Sequence, residues 1–61
     1  MTADELSREI DRRGLTLREA GRWCGVSRSY LCRLRRGHEA ITEERATLIR
    51  LGFTAYDRTP R

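Results

Sequence analysis

The stretch from residue 15 to residue 37 restricts the fold of this chain more than any other. Two short helical patterns flank a tight turn there. A helix-turn-helix needs a small residue where its helices cross, a glycine in the turn, and buried aliphatic residues after the turn. The chain supplies this set at consistent spacing, with Gly21, Gly25, Val26, Leu31 and Leu34. These residues predict a helix-turn-helix at the centre of the fold.

The flanking segments predict one helix on each side of this unit. Hydroxyl side chains suited to capping stand at each predicted helix start, at Thr2, Thr16, Ser27 and Thr42. Glycines stand at each predicted helix end, at Gly14, Gly25, Gly37 and Gly52. The sequence therefore predicts an all-α bundle of four, or at most five, helices over residues 1–53. Residues 54–61 are predicted to form a short C-terminal tail, as a strand, an irregular packed arm or a frayed end.

The positive charge of the chain is concentrated on the helix-turn-helix. Six arginines and one glutamate lie between residues 18 and 36, which gives +5, whereas the other 42 residues hold seven arginines and eight acids, which gives −1. Such clustering is typical of a face that binds a polyanion. All thirteen basic residues are arginine, which suits phosphate and guanine recognition, although codon bias in a GC-rich genome explains the same choice.

Several function classes are excluded by what the sequence lacks. No apolar run approaches the roughly 18 residues of a membrane span, and the N-terminus is acidic and polar, so we expect a cytoplasmic protein. Two cysteines and one histidine are too few for zinc, so no metal or other cofactor is expected. The chain has no catalytic triad and no phosphate-binding loop, and it has little room for a substrate pocket. We therefore expect neither an enzyme nor a small-molecule ligand.

Three motifs resemble the Cro and lambda-type repressor (XRE-like) family of helix-turn-helix regulators. They are GLT at 14–16, GVS at 25–27 and SRSYLCRLRRG at 27–37, within a resemblance that covers roughly residues 4–53. The resemblance implies a compact bundle of four or five helices that binds a two-fold DNA operator as a dimer. Its base-contacting positions fall on Ser27, Arg28, Ser29, Cys32 and Arg33. Its phosphate-contacting positions fall near Arg18, Arg22, Arg36, His38 and the start of the fourth helix.

Some positions depart from the family pattern or leave alternatives open. Leu17 replaces a glutamine that binds phosphate in the family, so that contact is lost or passes to Arg18. Arg35 replaces a glutamate, and it either pairs with Glu9 or Asp11 on the first helix or binds phosphate. The hydroxyl of Tyr30 is a further candidate phosphate contact, with packing against a neighbouring helix as the alternative. Cys32, where the family often has serine, leaves a redox switch open.

The function predicted from these observations is sequence-specific binding of double-stranded DNA. We expect a transcriptional repressor or autorepressor of phage or mobile-element type, bound to a palindromic operator as a homodimer. The predicted dimer contacts lie on the last helix and the tail, at Ile49, Leu51, Phe53 and Tyr56. Trp23 is expected to pack within the chain together with Phe53 or Tyr56, with a part in an interface as the alternative. The alternatives are an antitoxin-like module that also binds a protein, and a non-specific nucleic-acid binder.

Overall fold

The computed structural model describes residues 1–60 and folds them into four helices. Helix α1 spans Ala3–Arg12, α2 spans Leu17–Cys24, α3 spans Arg28–Arg35 and α4 spans Glu43–Arg58. These residues contain no strand, which confirms the predicted all-α fold. None of the helices in this part of the chain has the length and apolar character needed to cross a bilayer. Arg61, the last residue of the predicted tail, lies outside the described residues.

Hydroxyl side chains cap the starts of all four helices, as predicted. Each accepts a hydrogen bond of 3.1 Å from the backbone N–H three residues later. Thr16 also completes a capping box, because its own backbone N–H donates to Oε1 of Glu19 at 3.0 Å. Each of these bonds satisfies a donor that the first helical turn leaves without a partner. The local sequence therefore sets where each helix begins.

Three of the four predicted glycine stops are confirmed. Left-handed backbone with φ of +67°, +73° and +77° occurs at Gly14, Gly25 and Gly37. Gly52 instead lies inside α4, which continues to Arg58. A Cβ atom on Gly52 would lie 2.6 Å from the carbonyl oxygen of Trp23 and 2.8 Å from Cα of Cys24. The prediction that Gly52 ends the helix was wrong, because this glycine allows α4 to approach the end of α2.

The continuation of α4 also corrects the predicted tail. Residues 54–58 are helical, and the helix is unbroken across the predicted boundary between positions 53 and 54. Tyr56 is half-buried, and its ring meets that of Trp23 edge-on with centroids 5.5 Å apart. The expected packing of Trp23 within the chain is therefore confirmed, with Tyr56 as its partner.

Side chains from all four helices form one hydrophobic core. The side chains of this core, nearly or wholly closed to solvent, are Leu6, Ile10, Leu15, Ala20, Cys24, Leu31, Leu34, Ile49 and Phe53. Burial of an aliphatic or aromatic side chain contributes about 1.5–3 kcal/mol, so this small set accounts for most of the attraction between the helices. It fixes the inner face of α3, and with it the face that α3 turns to solvent.

A half-buried arginine, Arg13, joins the end of α1 to α4. The guanidinium of Arg13 donates two hydrogen bonds to the carboxylate of Asp57, at 2.9 and 2.7 Å. It also donates to the carboxylate of Glu9 at 2.7 Å and lies 4.5 Å above the ring of Phe53. The hydrogen bonds that Arg13 donates to Asp57 raise the pKa of Arg13 above its ordinary value, and the hydrogen bond that it donates to Glu9 raises it further. This network stabilises the last turns of α4, which lie beyond residue 53, the predicted end of the domain.

Candidate nucleic-acid interface

The turn between α2 and α3 is shaped by Gly21 and Gly25. The left-handed backbone of Gly25 lets the N–H groups of Gly25 and Val26 both reach the carbonyl oxygen of Gly21. A Cβ atom on Gly21 would lie only 2.7 Å from the carbonyl oxygen of Val26. No larger residue fits there without moving backbone, so the turn leads the chain into α3 in one direction. Val26 itself is half-buried and packs against the core.

The inner face of α3 packs into the core, and its outer face is exposed to solvent. Leu31 and Leu34 are fully buried, as predicted. Most of the predicted base-contacting side chains therefore share the solvent face, where Arg28, Ser29 and Arg33 are exposed and Cys32 is half-buried. Together with Leu17 of α2, these four residues line one surface depression. The structure thus brings together four of the five predicted base contacts.

Ser27, the fifth, has a structural role at the same place. Its hydroxyl oxygen accepts a hydrogen bond from the backbone N–H of Tyr30, so it caps α3. The residue remains exposed at the start of the helix, beside Arg28. Its hydroxyl hydrogen is still able to donate, because a hydroxyl group is both an acceptor and a donor.

The arginines between positions 18 and 36 form one group, called the arginine cluster below. Its members are Arg18, Arg22, Arg28, Arg33, Arg35 and Arg36. All six are exposed, and among the described residues five of them form no ion pair. The single acid within this stretch, Glu19, is held by the backbone and hydroxyl of Thr16, and these hydrogen bonds lower its pKa. The positive charge of the cluster is therefore largely available to an external anion.

The predicted phosphate contacts lie on the flanks of this face. Arg18 and Arg22 are on α2, and Arg36 and His38 follow the end of α3; all four are exposed. Tyr30 is different, because its ring is half-buried with the guanidinium of Arg33 at 5.5 Å and that of Arg45 at 5.2 Å. The packing alternative is thus observed for Tyr30.

Arg35 and Leu17, which depart from the family pattern, lie at different depths in the structure. Glu9, a candidate partner for Arg35, bonds to Arg12 and Arg13 instead, and these hydrogen bonds lower its pKa. Arg35 is exposed and makes no ion pair within the described residues. Leu17 is half-buried against the core, where it forms the floor between the arginines of α3. Arg35 therefore adds to the free positive charge of the cluster.

The cysteines occupy different environments. Cys24 is buried, burial raises its pKa to about 11, and its thiol lies 3.7 Å from the carbonyl oxygen of Ile49. A thiol with so high a pKa is a packing group rather than a nucleophile at neutral pH. Cys32 is half-buried in the depression on the outer face of α3. Across residues 1–60, no cluster of three or more histidine, cysteine or acidic side chains is arranged to hold a metal ion.

The structure changes the predicted dimer contacts. Ile49 is fully buried and Phe53 is 2% exposed, so both belong to the core of one chain and neither can meet a partner. Leu51 is 61% exposed, and the sequence prediction missed Leu48, which is 44% exposed. These two leucines are three residues apart and so neighbour each other on α4.

An acidic partner of the arginine cluster was also missed. Glu39, in the loop between α3 and α4, accepts a hydrogen bond from Nε of Arg33 at 2.8 Å. Sequence offers no periodic signal for a loop residue, so this pair was visible only once the loop had been placed.

No protein-family model matches this chain, and no curated protein or solved structure matches it significantly. The resemblance to the Cro and lambda-type repressor family therefore stays a prediction based on the motifs within residues 14–37.

Proposed function

We propose that this chain is a sequence-specific DNA-binding regulator that reads double-stranded DNA with α3. The observation that carries the proposal is the arginine cluster, of which five members form no ion pair among the described residues. The cluster surrounds the outer face of a short helix held by two buried leucines. A helix of this kind fits the major groove, with its N-terminal residues at the base edges.

The proposed role of each residue follows from its position on the outer face of α3. Arg28 lies in the first turn of α3, and Arg33 lies further along the same depression. Each is proposed to donate two hydrogen bonds to O6 and N7 of guanine, the commonest specific contact of arginine. Ser29 and Cys32 line the same depression and are proposed to make hydrogen-bonding or apolar contact with a base.

The outer arginines are proposed to hold the DNA backbone. Arg18 and Arg22 on α2 and Arg36 after α3 flank the reading face. Contacts of this kind release counterions, fix the register of the protein and carry no sequence information. Arg35 joins them, since no acid neutralises it among the described residues.

A second copy of the chain completes the proposed complex. One short helix reads only a few base pairs, whereas a two-fold dimer places two such helices about 34–36 Å apart on successive turns of DNA. Exposed Leu48 and Leu51 of α4 support an apolar contact between the copies. The dimer would repress by occupying an operator that overlaps a promoter, in the manner of a phage or mobile-element repressor.

Selection of bound duplexes from a random pool tests the proposal. We expect a palindromic consensus, bound about 10³–10⁷-fold more tightly than random duplex. Arg28→Ala should erase preference at particular base pairs, while Arg8→Ala, an exposed arginine of α1, serves as the charge-matched control. Equal binding of all duplexes would instead assign the chain to non-specific nucleic-acid binders. Failure to bind any duplex would remove DNA as its ligand.

A further inference from the structure

Glu39 is an acid on an otherwise basic face, and its position is specific. Its carboxylate accepts from Nε of Arg33 at 2.8 Å, and both side chains remain about half exposed. A surface ion pair contributes about 0–1 kcal/mol to folding, so stability gives little reason to place an acid where DNA would bind. A carboxylate there also repels phosphate. The role of this ion pair is therefore sought in its effect on the orientation of the Arg33 side chain.

The contact occupies one side of the guanidinium and leaves the other free. Glu39 engages Nε of Arg33, and no acceptor among the described residues engages its two terminal nitrogens. Those two nitrogens form the end of the guanidinium that donates in parallel to O6 and N7 of guanine. The carboxylate therefore restrains the side chain without consuming the donors that reading a base requires.

A second group restrains the same guanidinium. It lies 5.5 Å from the ring centroid of Tyr30, and Arg45 of α4 lies 5.2 Å from that centroid. Because Tyr30 is half-buried against the core, its ring is a fixed surface for Arg33. Arginine carries about 2 kcal/mol of rotamer entropy, and contact with both Glu39 and Tyr30 removes part of that freedom before DNA binds.

We propose that Glu39 is a positioning residue that orients Arg33 for guanine and so sets the base preference at one operator position. The inference rests on the proposed function, since it concerns how the same face reads DNA. Its physical basis is preorganisation: a side chain already held in its bound geometry loses less entropy on binding. Glu39 itself need not touch DNA.

Two substitutions separate the hydrogen bond from the charge. Glu39→Ala and Glu39→Gln both remove one negative charge, so both should raise affinity for random duplex by the same factor. Only glutamine keeps an oxygen that can accept from Nε of Arg33. A bidentate arginine contact discriminates guanine from another base by about 5- to 150-fold. We expect Glu39→Ala to lower the preference for guanine at a single position about fivefold, and Glu39→Gln to keep most of that preference.

An Arg33→Ala background supplies the control. There, Glu39→Ala should leave the base preference unchanged, because the residue it positions is gone. The pair itself is checked without DNA by NMR, where slow hydrogen exchange at Nε of Arg33 should be lost in Glu39→Ala and largely kept in Glu39→Gln.

The possible failures are distinguishable. If Arg33→Ala alters the consensus while Glu39→Ala and wild type select the same one, the inference is wrong and the proposed function stands. The inference is also wrong if both Glu39 variants sharpen the preference equally, because Glu39 is then a competitor of DNA for Arg33. If wild type selects no consensus, the proposed function fails, and the inference fails with it.

Discussion

Replacement of Gly52 by alanine tests the packing of α4 on α2. The added Cβ atom would meet the carbonyl oxygen of Trp23 at 2.6 Å and Cα of Cys24 at 2.8 Å. Both are backbone atoms, so neither can rotate away and the helices must separate. Overpacking of this kind lowers the free energy of unfolding by about 1–3 kcal/mol, and we take the upper end of this range because both contacts are with backbone. Alanine regains about 1 kcal/mol of helix propensity, which leaves a net loss of about 2 kcal/mol.

That loss is large for a chain of this length, whose whole stability is on the order of 3–9 kcal/mol. It should lower the melting temperature by about 8–16 °C, measured by circular dichroism and checked by urea unfolding. Thr54→Ala, at an exposed position of the same helix, is the control and should stabilise slightly. Gly52→Asn should destabilise at least as much as alanine, whereas a left-handed helix stop would accept asparagine. A Gly52→Ala protein as stable as wild type would refute the close approach.

Four further predictions concern the proposed interface, the surface of α4 and the response to acid. Arg28→Ala should cost about 1–3 kcal/mol on the selected site and relax preference at particular base pairs, measured by fluorescence titration. Arg18→Ala should weaken binding to all duplexes alike and lower the salt slope by about one, measured between low and moderate salt. Leu51→Glu should leave the monomer folded but abolish cooperative binding of two copies per operator, measured by sedimentation. The pKa of Glu9 lies below its ordinary value of 4.5 because Arg13 and Arg12 donate hydrogen bonds to its carboxylate. The stability that this carboxylate confers is therefore present above pH 4.5 and is lost as the pH falls through the lowered pKa. Glu9→Gln should accordingly lose less urea resistance than wild type between pH 7 and pH 3.

Local signals in the sequence predicted helix starts better than helix ends. A hydroxyl cap acts within one turn, so Thr16 and Ser27 could be assigned from their neighbours. A glycine has two uses that look alike in sequence, as a left-handed stop at Gly25 and as a close contact at Gly52. Only the distance between α2 and α4 separates the two. The apolar spacing that continues from Ile49 through Phe53 was evidence that the helix extended further.

Contacts distant in sequence could not be predicted from local pattern. Local pattern places Arg13 only at the end of α1, where a cation is favourable by itself. Its partner Asp57 is 44 positions away, in a segment expected to be a tail. The outer face of α3 was predictable, since buried Leu31 and Leu34 fix which side faces solvent. The orientation of each arginine on that face was not, because it depends on loops and rings from elsewhere in the chain.

The burial of Ile49 and Phe53 changes the expected strength of the dimer. A 61-residue monomer was expected to leave these side chains for a partner to cover, yet α4 places both in its own core. What remains is Leu48 and Leu51, each already about half covered. Burying the exposed parts of these leucines, two from each copy, contributes about 3–6 kcal/mol, whereas association costs about 4–15 kcal/mol. The proposed dimer is therefore weak in the absence of DNA, and in the proposed complex adjacent half-sites would supply the remaining free energy by holding the two copies together.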